Sequence, residues 1–310
     1  MQKKQILIIG LVLIGVVVLY LVLKVSEKKK EDSRAVFQTE IIVSLKEGYS
    51  VKDTIFESLD GVNQQVVALI HWESKDGFDQ QDSLAVFESK GGKLAEIFNS
   101  TDWVFELGNG FNGDYFRAED INKDNLKEFV ITRSQGGNCW TCSSLRVFQV
   151  KDHKVIEFLS NLPETQVIYG IMDLNKDGIK ELIILDAEWE ANRYLDLCHA
   201  CSPAVDIIYA WRMNKYVESS IEFPFYYDEK IREYENEIRK MDLTEQPPDY
   251  YTGRVISIFL NYLKKGDKKE GWNVLRKYLT DDQLNNRVSR GRELADDVLR
   301  EIQRRHFAKP

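Results

Sequence analysis

Two stretches of this chain repeat one pattern, and they constrain the fold more than any other feature. Asp173-Leu174-Asn175-Lys176-Asp177-Gly178-Ile179-Lys180-Glu181 runs straight into the apolar Leu182-Ile183-Ile184. Earlier in the chain, Asp120-Ile121-Asn122-Lys123-Asp124-Asn125-Leu126-Lys127-Glu128 runs into Phe129-Val130-Ile131. Each copy places Asp, Asn, Asp and Glu oxygens at positions 1, 3, 5 and 9. Hard cations such as Ca²⁺ take roughly six to eight oxygen ligands on a tightly curled backbone, and this spacing supplies them. The apolar residues at position 7, Leu126 and Ile179, have only their carbonyls to contribute. Position 6 has to turn sharply: Gly178 does so freely, and Asn125 tolerates a left-handed backbone better than most residues. Two full copies in one chain argue against coincidence.

Around these loops the chain reads as short β-rich runs bounded by Gly, Asn, Asp and Lys turns, a pattern that predicts strands joined as hairpins. Three groups align. The first has runs at 65–72, 83–88 and 93–98, the second at 128–132, 144–149 and 154–159, and the third at 181–185, 206–211 and 215–218. One more strand precedes each group, near 51–59, 115–119 and 167–172, so the repeating unit is four strands long. Self-similarity at a period of roughly 50 to 60 residues points to a propeller or a stacked array. The fold class expected is therefore mainly β with α: three four-stranded, propeller-like units over 36–224 and a helical segment over 225–310.

The pattern strand, Asp-x-Asn-x-Asp-Gly-x-x-Glu, strand, followed by a hairpin ending in an aromatic, resembles the FG-GAP/VCBS repeat family. That is the calcium-loop repeat of integrin-α-type β-propellers, and the resemblance spans about residues 50–222. It implies that Ca²⁺ is held by Asp120, Asn122, Asp124, Leu126 and Glu128, and by Asp173, Asn175, Asp177, Ile179 and Glu181. The first unit departs from the pattern: Ser58-Leu59-Asp60-Gly61-Val62-Asn63-Gln64-Gln65 lacks the acidic spacing and is assigned no metal. Propellers have about 4–8 blades, so three units imply an open arc or an atypical closure. In such repeats calcium is a structural staple, and the same loop held by Asn and Asp turn hydrogen bonds is the alternative.

All four cysteines fall in two Cys-x-x-Cys pairs, Cys139/Cys142 and Cys198/Cys201, each between the second and third strands of its unit. Disulfides within or between the pairs would staple loops in an oxidising compartment. A zinc site built of all four thiolates has a suitable ligand count. A thioredoxin-like redox pair needs a helix N-terminus to lower its thiol pKa, and neither pair opens a helical pattern. In an up-and-down blade the 1–2 and 2–3 loops leave opposite ends, so the acidic and cysteine loops should lie apart. By the same resemblance the cysteine end would meet ligands, through Gly136 to Asn138, Trp140 and the stretch 189–194.

Residues 5–23 are 19 positions without a charge, close to the roughly 20 a helix needs to cross a bilayer. With no small-residue cleavage site after Leu23, residues 5–24 read as a retained single-pass transmembrane anchor, behind a tail at 1–4 and before a charged tether at 25–35. Flanking lysines on both sides leave orientation to other arguments. A calcium site and paired cysteines fit a chain whose bulk is extracytoplasmic. The net charge is −8, and residues 31–310 hold 36 basic and 49 acidic residues, a balance that argues against nucleic acid as a partner.

After Pro224 the period becomes helical. Helices are expected over 226–241 and 252–264, separated by Gln246-Pro247-Pro248. Two more should start at Asp267-x-x-Glu270 and Thr280-x-x-Gln283, the last reaching about 305. The four histidines, His71, His153, His199 and His306, sit in settings that suggest no triad. The expectation is a membrane-anchored, calcium-binding repeat protein that recognises a protein or glycan ligand, with no catalysis of its own. A thiol-redox or other envelope enzyme using the cysteine pairs is the first alternative, and a structural subunit of a membrane complex the second.

Overall fold

A computed structural model describes residues 24, 34–37, 39–42, 45, 47–75, 80–91, 93–100, 116–134, 141–187, 197, 201–241 and 248–279. The chain is mainly β with helices and divides into two compact units, 1–103 and 104–310. This division cuts the 36–224 stretch after its first group of strands and puts the helices with the second and third groups. Among the described residues no helix is long and apolar enough to cross a membrane. The anchor reading rests on residues up to 23 that lie outside them.

The first unit is one antiparallel sheet in sequence order, β1 (Tyr49–Glu57), β2 (Gln65–Glu73), β3 (Gln80–Lys90) and β4 (Lys93–Ser100). Central strand β2 is buried on both faces from Gln65 to Ile70, so its apolar run is unbroken where a half-exposed strand would alternate. One face carries Phe56, Val66, Ala68, Ile70 and Ala85, covered by Phe37 and Ile41 of a helical stretch at 34–37 and 39–42. Strands alone were expected beyond a tether ending at 35. The helical signal was present as Phe37 and Ile41 at four-residue spacing, which stacks them on one face of a helix, with Leu45 following in the same cluster.

The second unit is an eight-stranded sheet: β5 (Phe116–Glu119), β6 (Glu128–Ser134), β7 (Ser143–Lys151), β8 (Lys154–Glu157), β9 (Gln166–Met172), β10 (Glu181–Asp186), β11 (Val205–Arg212) and β12 (Lys215–Glu218). All twelve strands lie where the hairpin pattern put them, within a few residues. Three separate blades do not form, however, and neither sheet closes into a barrel. The spatial order β12-β11-β10-β9-β7-β6-β5 makes the second and third groups continuous. The reason is the shortness of β8, expected to run to 159. It pairs only Phe148 to Lys151 of β7, and Leu159 turns left-handed at φ 54°. Past β8 the Phe158 N–H still donates to the Val147 carbonyl at 2.8 Å, and β9 then joins β7 through the Leu145–Ile168 pair.

Three helices follow. Helix α1 (Pro224–Lys240) opens on proline, whose fixed φ and missing N–H suit a first helical position. The same rule corrects the reading of Pro248 as part of a break: it is the first residue of α2 (Pro248–Lys264). Helix α3 (Lys268–Tyr278) starts as its capping pattern required, with the Asp267 side chain accepting from the Glu270 N–H. The fourth expected helix lies outside the described residues. Val130, Leu145, Val147, Leu182, Ile184 and Ile207 form the core on one side of the sheet. On the other, Ile183, Ile208 and Ala210 receive Phe223 and Tyr227 from the start of α1.

Candidate functional site

The two acidic loops adopt one hydrogen-bonded scaffold, matched atom for atom. The position-2 N–H donates to the position-9 glutamate: Ile121 to Glu128 Oε2 at 3.1 Å, and Leu174 to Glu181 Oε2 at 2.8 Å. The position-5 N–H donates to the position-3 asparagine in both loops, at 3.0 Å. The position-6 N–H donates to the position-1 aspartate: Asn125 to Asp120 Oδ2 at 3.1 Å, and Gly178 to Asp173 Oδ2 at 2.9 Å. Position 7 donates to the position-5 aspartate at 2.9 and 2.7 Å. Asn125 and Gly178 are left-handed, at φ 67° and 83°, as their types led one to expect. Lys123 and Lys176 at position 4 are left-handed too, at 58° and 63°. A branchless lysine gives no warning of that, and the curl of the loop imposes it.

This scaffold spends one oxygen of the first aspartate on the turn and leaves the other inward. Asp120 Oδ1, Asp173 Oδ1 and Glu181 Oε1 are buried with no hydrogen-bond partner among the described residues. A buried carboxylate oxygen without a donor is costly, and a cation bound there would offset the cost. The oxygen-only donor set (two Asp, one Asn, one Glu, one carbonyl) suits a hard divalent ion. Among the described residues no group of three or more His, Cys, Asp and Glu side chains stands together as a ready-made metal cage. In both loops the carboxylates are partly turned onto backbone amides. The residues present therefore fit calcium through orphaned oxygens around a preformed turn.

Although 53 positions apart in sequence, the loops touch. The Lys180 N–H donates to the Ile121 carbonyl at 2.7 Å, and the Lys180 ammonium pairs with Glu119. Reciprocally, the Lys123 ammonium donates to the Asp177 carbonyl. Tyr216 of β12 is buried beside both loops and donates its hydroxyl to the Lys180 carbonyl at 3.1 Å. Burial first, and then the surrounding carboxylates, push that phenol's pKa far up. Neither the lysine braces nor Tyr216 could be read from the loop motif, because both act across strands.

In the first loop Gln149 of β7 adds a contact that the second lacks. Its amide donates to Asp124 Oδ2 at 3.0 Å and to Glu128 Oε1 at 2.9 Å. Even so, burial raises Glu128 to about 7, with the Asp124 charge adding to it and the Ile121 and Gln149 hydrogen bonds opposing. Burial raises Glu181 as well. A carboxyl raised above its ordinary 4.5 binds its proton more tightly in the folded state. Its contribution to stability is thus full below pH 4.5 and lost as pH climbs through about 7. In chelator, the melting temperature of the wild-type chain should fall more steeply between pH 5 and pH 8 than that of Glu128→Gln. Parallel pH curves for the two proteins would contradict this.

Cys142 and Cys201 are each disulfide-bonded. Cys139, Cys198 and His199 lie outside the described residues. Cys201 is 2 % exposed and packed with Val255, Ile256 and Leu260 of α2. Leu197 packs in the same cluster under α2. A strand, β7, follows Cys142, so no helix terminus lies there to activate a thiol. Within the second unit the register puts Glu128 and Ser134 at opposite ends of β6, so acidic and cysteine loops leave opposite ends of that strand. At the cysteine end lies a cavity of about 740 Å³, walled in part by Arg133, Thr141, Ser144, Arg146, Glu157 and Gln166. Burial, and then the like charge of Arg146, lower the pKa of Arg133, with Glu157 opposing them. The stretches 136–138, 140 and 189–194, expected to line a recognition surface, lie outside the described residues. The chain matches no family model and no curated protein.

Proposed function

We propose that this chain is a calcium-binding β-repeat protein that works by recognition or assembly at a cell envelope. In this reading residues 5–24 hold it to the membrane as a single span, with the bulk of the chain extracytoplasmic. The three strand groups are repeats of an open, FG-GAP-like array, the second and third merged into one sheet. The observation that carries the reading is the matched pair of loops, with buried carboxylate oxygens of Asp120, Asp173 and Glu181 left without donors among the described residues. Calcium there would hold the loops and the hairpins behind them, without chemistry of its own. The ligand, a protein or glycan, would meet the cysteine end, where the cavity wall carries Arg133 beside the Arg146–Glu157 ion pair.

The test is a CaCl₂ titration of the chelator-stripped full chain, followed by calorimetry and by melting temperature. Binding should release heat and stabilise the fold, by about 2.7 kcal/mol when free calcium is 100 times its Kd. Asp120→Ala combined with Asp173→Ala should abolish both signals. Absence of heat and of stabilisation in the wild-type chain, or signals unchanged in the double variant, would remove calcium from the account.

A further inference from the structure

We infer that the two acidic loops are not equivalent. The loop at 173–181 takes the divalent cation, whereas in the loop at 120–128 the Gln149 side-chain amide stands where the cation would bind. This deepens the calcium reading and rests on it.

The three strand groups supply the comparison. Each has the same anchor, a backbone N–H at the loop entry donating to the side chain that opens the second strand. In the first group that bond runs from Leu59 to Gln65 Oε1 at 2.8 Å, matching Ile121 to Glu128 and Leu174 to Glu181. What faces the anchor across the next strand differs each time. Gln65 pairs in register with Glu88, and its amide reaches Glu88 Oε2 at 3.4 Å. Glu128 pairs with Gln149, the same amide and carboxylate with their strands exchanged. Both arrangements give the buried glutamate an amide donor.

The third group breaks the series. One step beyond the Leu182–Tyr209 pair, the residue opposite Glu181 is Ala210, which has no donor. Glu181 is 1 % exposed, and its Oε1 has no partner among the described residues. Asp173 Oδ1 is orphaned in the same loop, as Asp120 Oδ1 is in the second group, so the difference between the loops lies at the glutamate. In the second group both amide hydrogens of Gln149 are spent on Asp124 and Glu128, and Asn122 Nδ2 also reaches Glu128 Oε1 at 3.2 Å. A cation entering there must first break those bonds, whereas at 173–181 it meets Asp173 Oδ1 and Glu181 Oε1 bare, with only the Asn175 Nδ2 to Asp177 Oδ2 bond at 3.0 Å to displace among the described residues.

The experiment is calorimetric titration of the chelator-stripped full chain with CaCl₂, read as stoichiometry and affinity alongside the melting temperature. The wild-type chain should bind one calcium tightly, and Glu181→Gln should lose it. Gln149→Ala should add a second site or tighten a weak one at least tenfold. Gln149→Glu, nearly identical in shape, guards against a folding artefact. It should melt lower than wild type without calcium and recover when calcium is added. Two matched sites in the wild-type chain would overturn the inference while leaving calcium binding intact. So would a weak site that neither Gln149 variant alters, or a tight site that survives Glu181→Gln and disappears in Asp124→Asn. No heat and no rise in melting temperature in any of these proteins would overturn both.

Discussion

Tyr227→Ala should cost about 3–5 kcal/mol of stability, the range for truncating a large buried aromatic. Tyr227 is 0 % exposed and sits at the start of α1, in the cluster with Ile183, Ile208, Ala210 and Phe223 that seats this helix on the sheet. Its hydroxyl donates to the Asp206 carbonyl at 3.0 Å. Next to it Tyr226 donates to the Asp206 carboxylate, and Tyr169 lies within 3.3 Å of the Tyr226 oxygen. The same site separates packing from hydrogen bonding. Tyr227→Phe keeps the ring and removes one bond, so it should cost only about 1 kcal/mol. Urea unfolding of the two variants checks the split. Equal costs would mean that the hydroxyl network, and not the ring, seats the helix.

Gly253→Ala should be the second large loss, although alanine is the better helix former by about 1 kcal/mol. A Cβ built on Gly253 would lie 1.7 Å from the Cys201 carbonyl oxygen. Contact that short cannot be relieved by turning a side chain, because the obstacle is backbone. Either α2 lifts from the loop or the disulfide-bonded Cys201 segment retreats, and both disturb the core of Val255, Phe259 and Leu260. Overpacking of this kind costs about 1–3 kcal/mol, and the backbone obstacle places this case near the upper end. The comparison with Gly271→Ala is informative. There the nearest atom, Tyr262 Cβ, is 3.0 Å away, so a smaller shift of α3 suffices and the loss should be clearly less. A Gly253→Ala protein as stable as wild type in a urea melt would refute the close approach.

Much of this molecule was legible before any coordinates. Short β-rich runs bounded by turn residues located all twelve strands, and Asp267-x-x-Glu270 located the start of α3, because hairpins and caps are written in neighbouring residues. What was missed had a weaker or a nonlocal signal. Phe37 and Ile41 are one short stripe, easily passed over between a charged tether and a strand. Pro248 reads equally well as a breaker and as a first helical residue until the helix behind it is seen. The joining of the second and third strand groups depends on where β8 stops, which Leu159 decides by a left-handed turn no pattern announces.

The same division runs through the candidate site. The two loops were set by local residues: which oxygens they carry, where they turn, and that an apolar strand follows each. Those properties lie within nine adjacent residues and follow from local backbone chemistry. Tertiary structure alone decided that the loops touch, that Tyr216 packs beside them, and that they differ. Gln149 stands 21 positions from Glu128 and meets it only through the β6–β7 register. Whether a buried carboxylate has a donor is a property of the facing strand, and two loops nearly alike in sequence are therefore set apart by the residues opposite them.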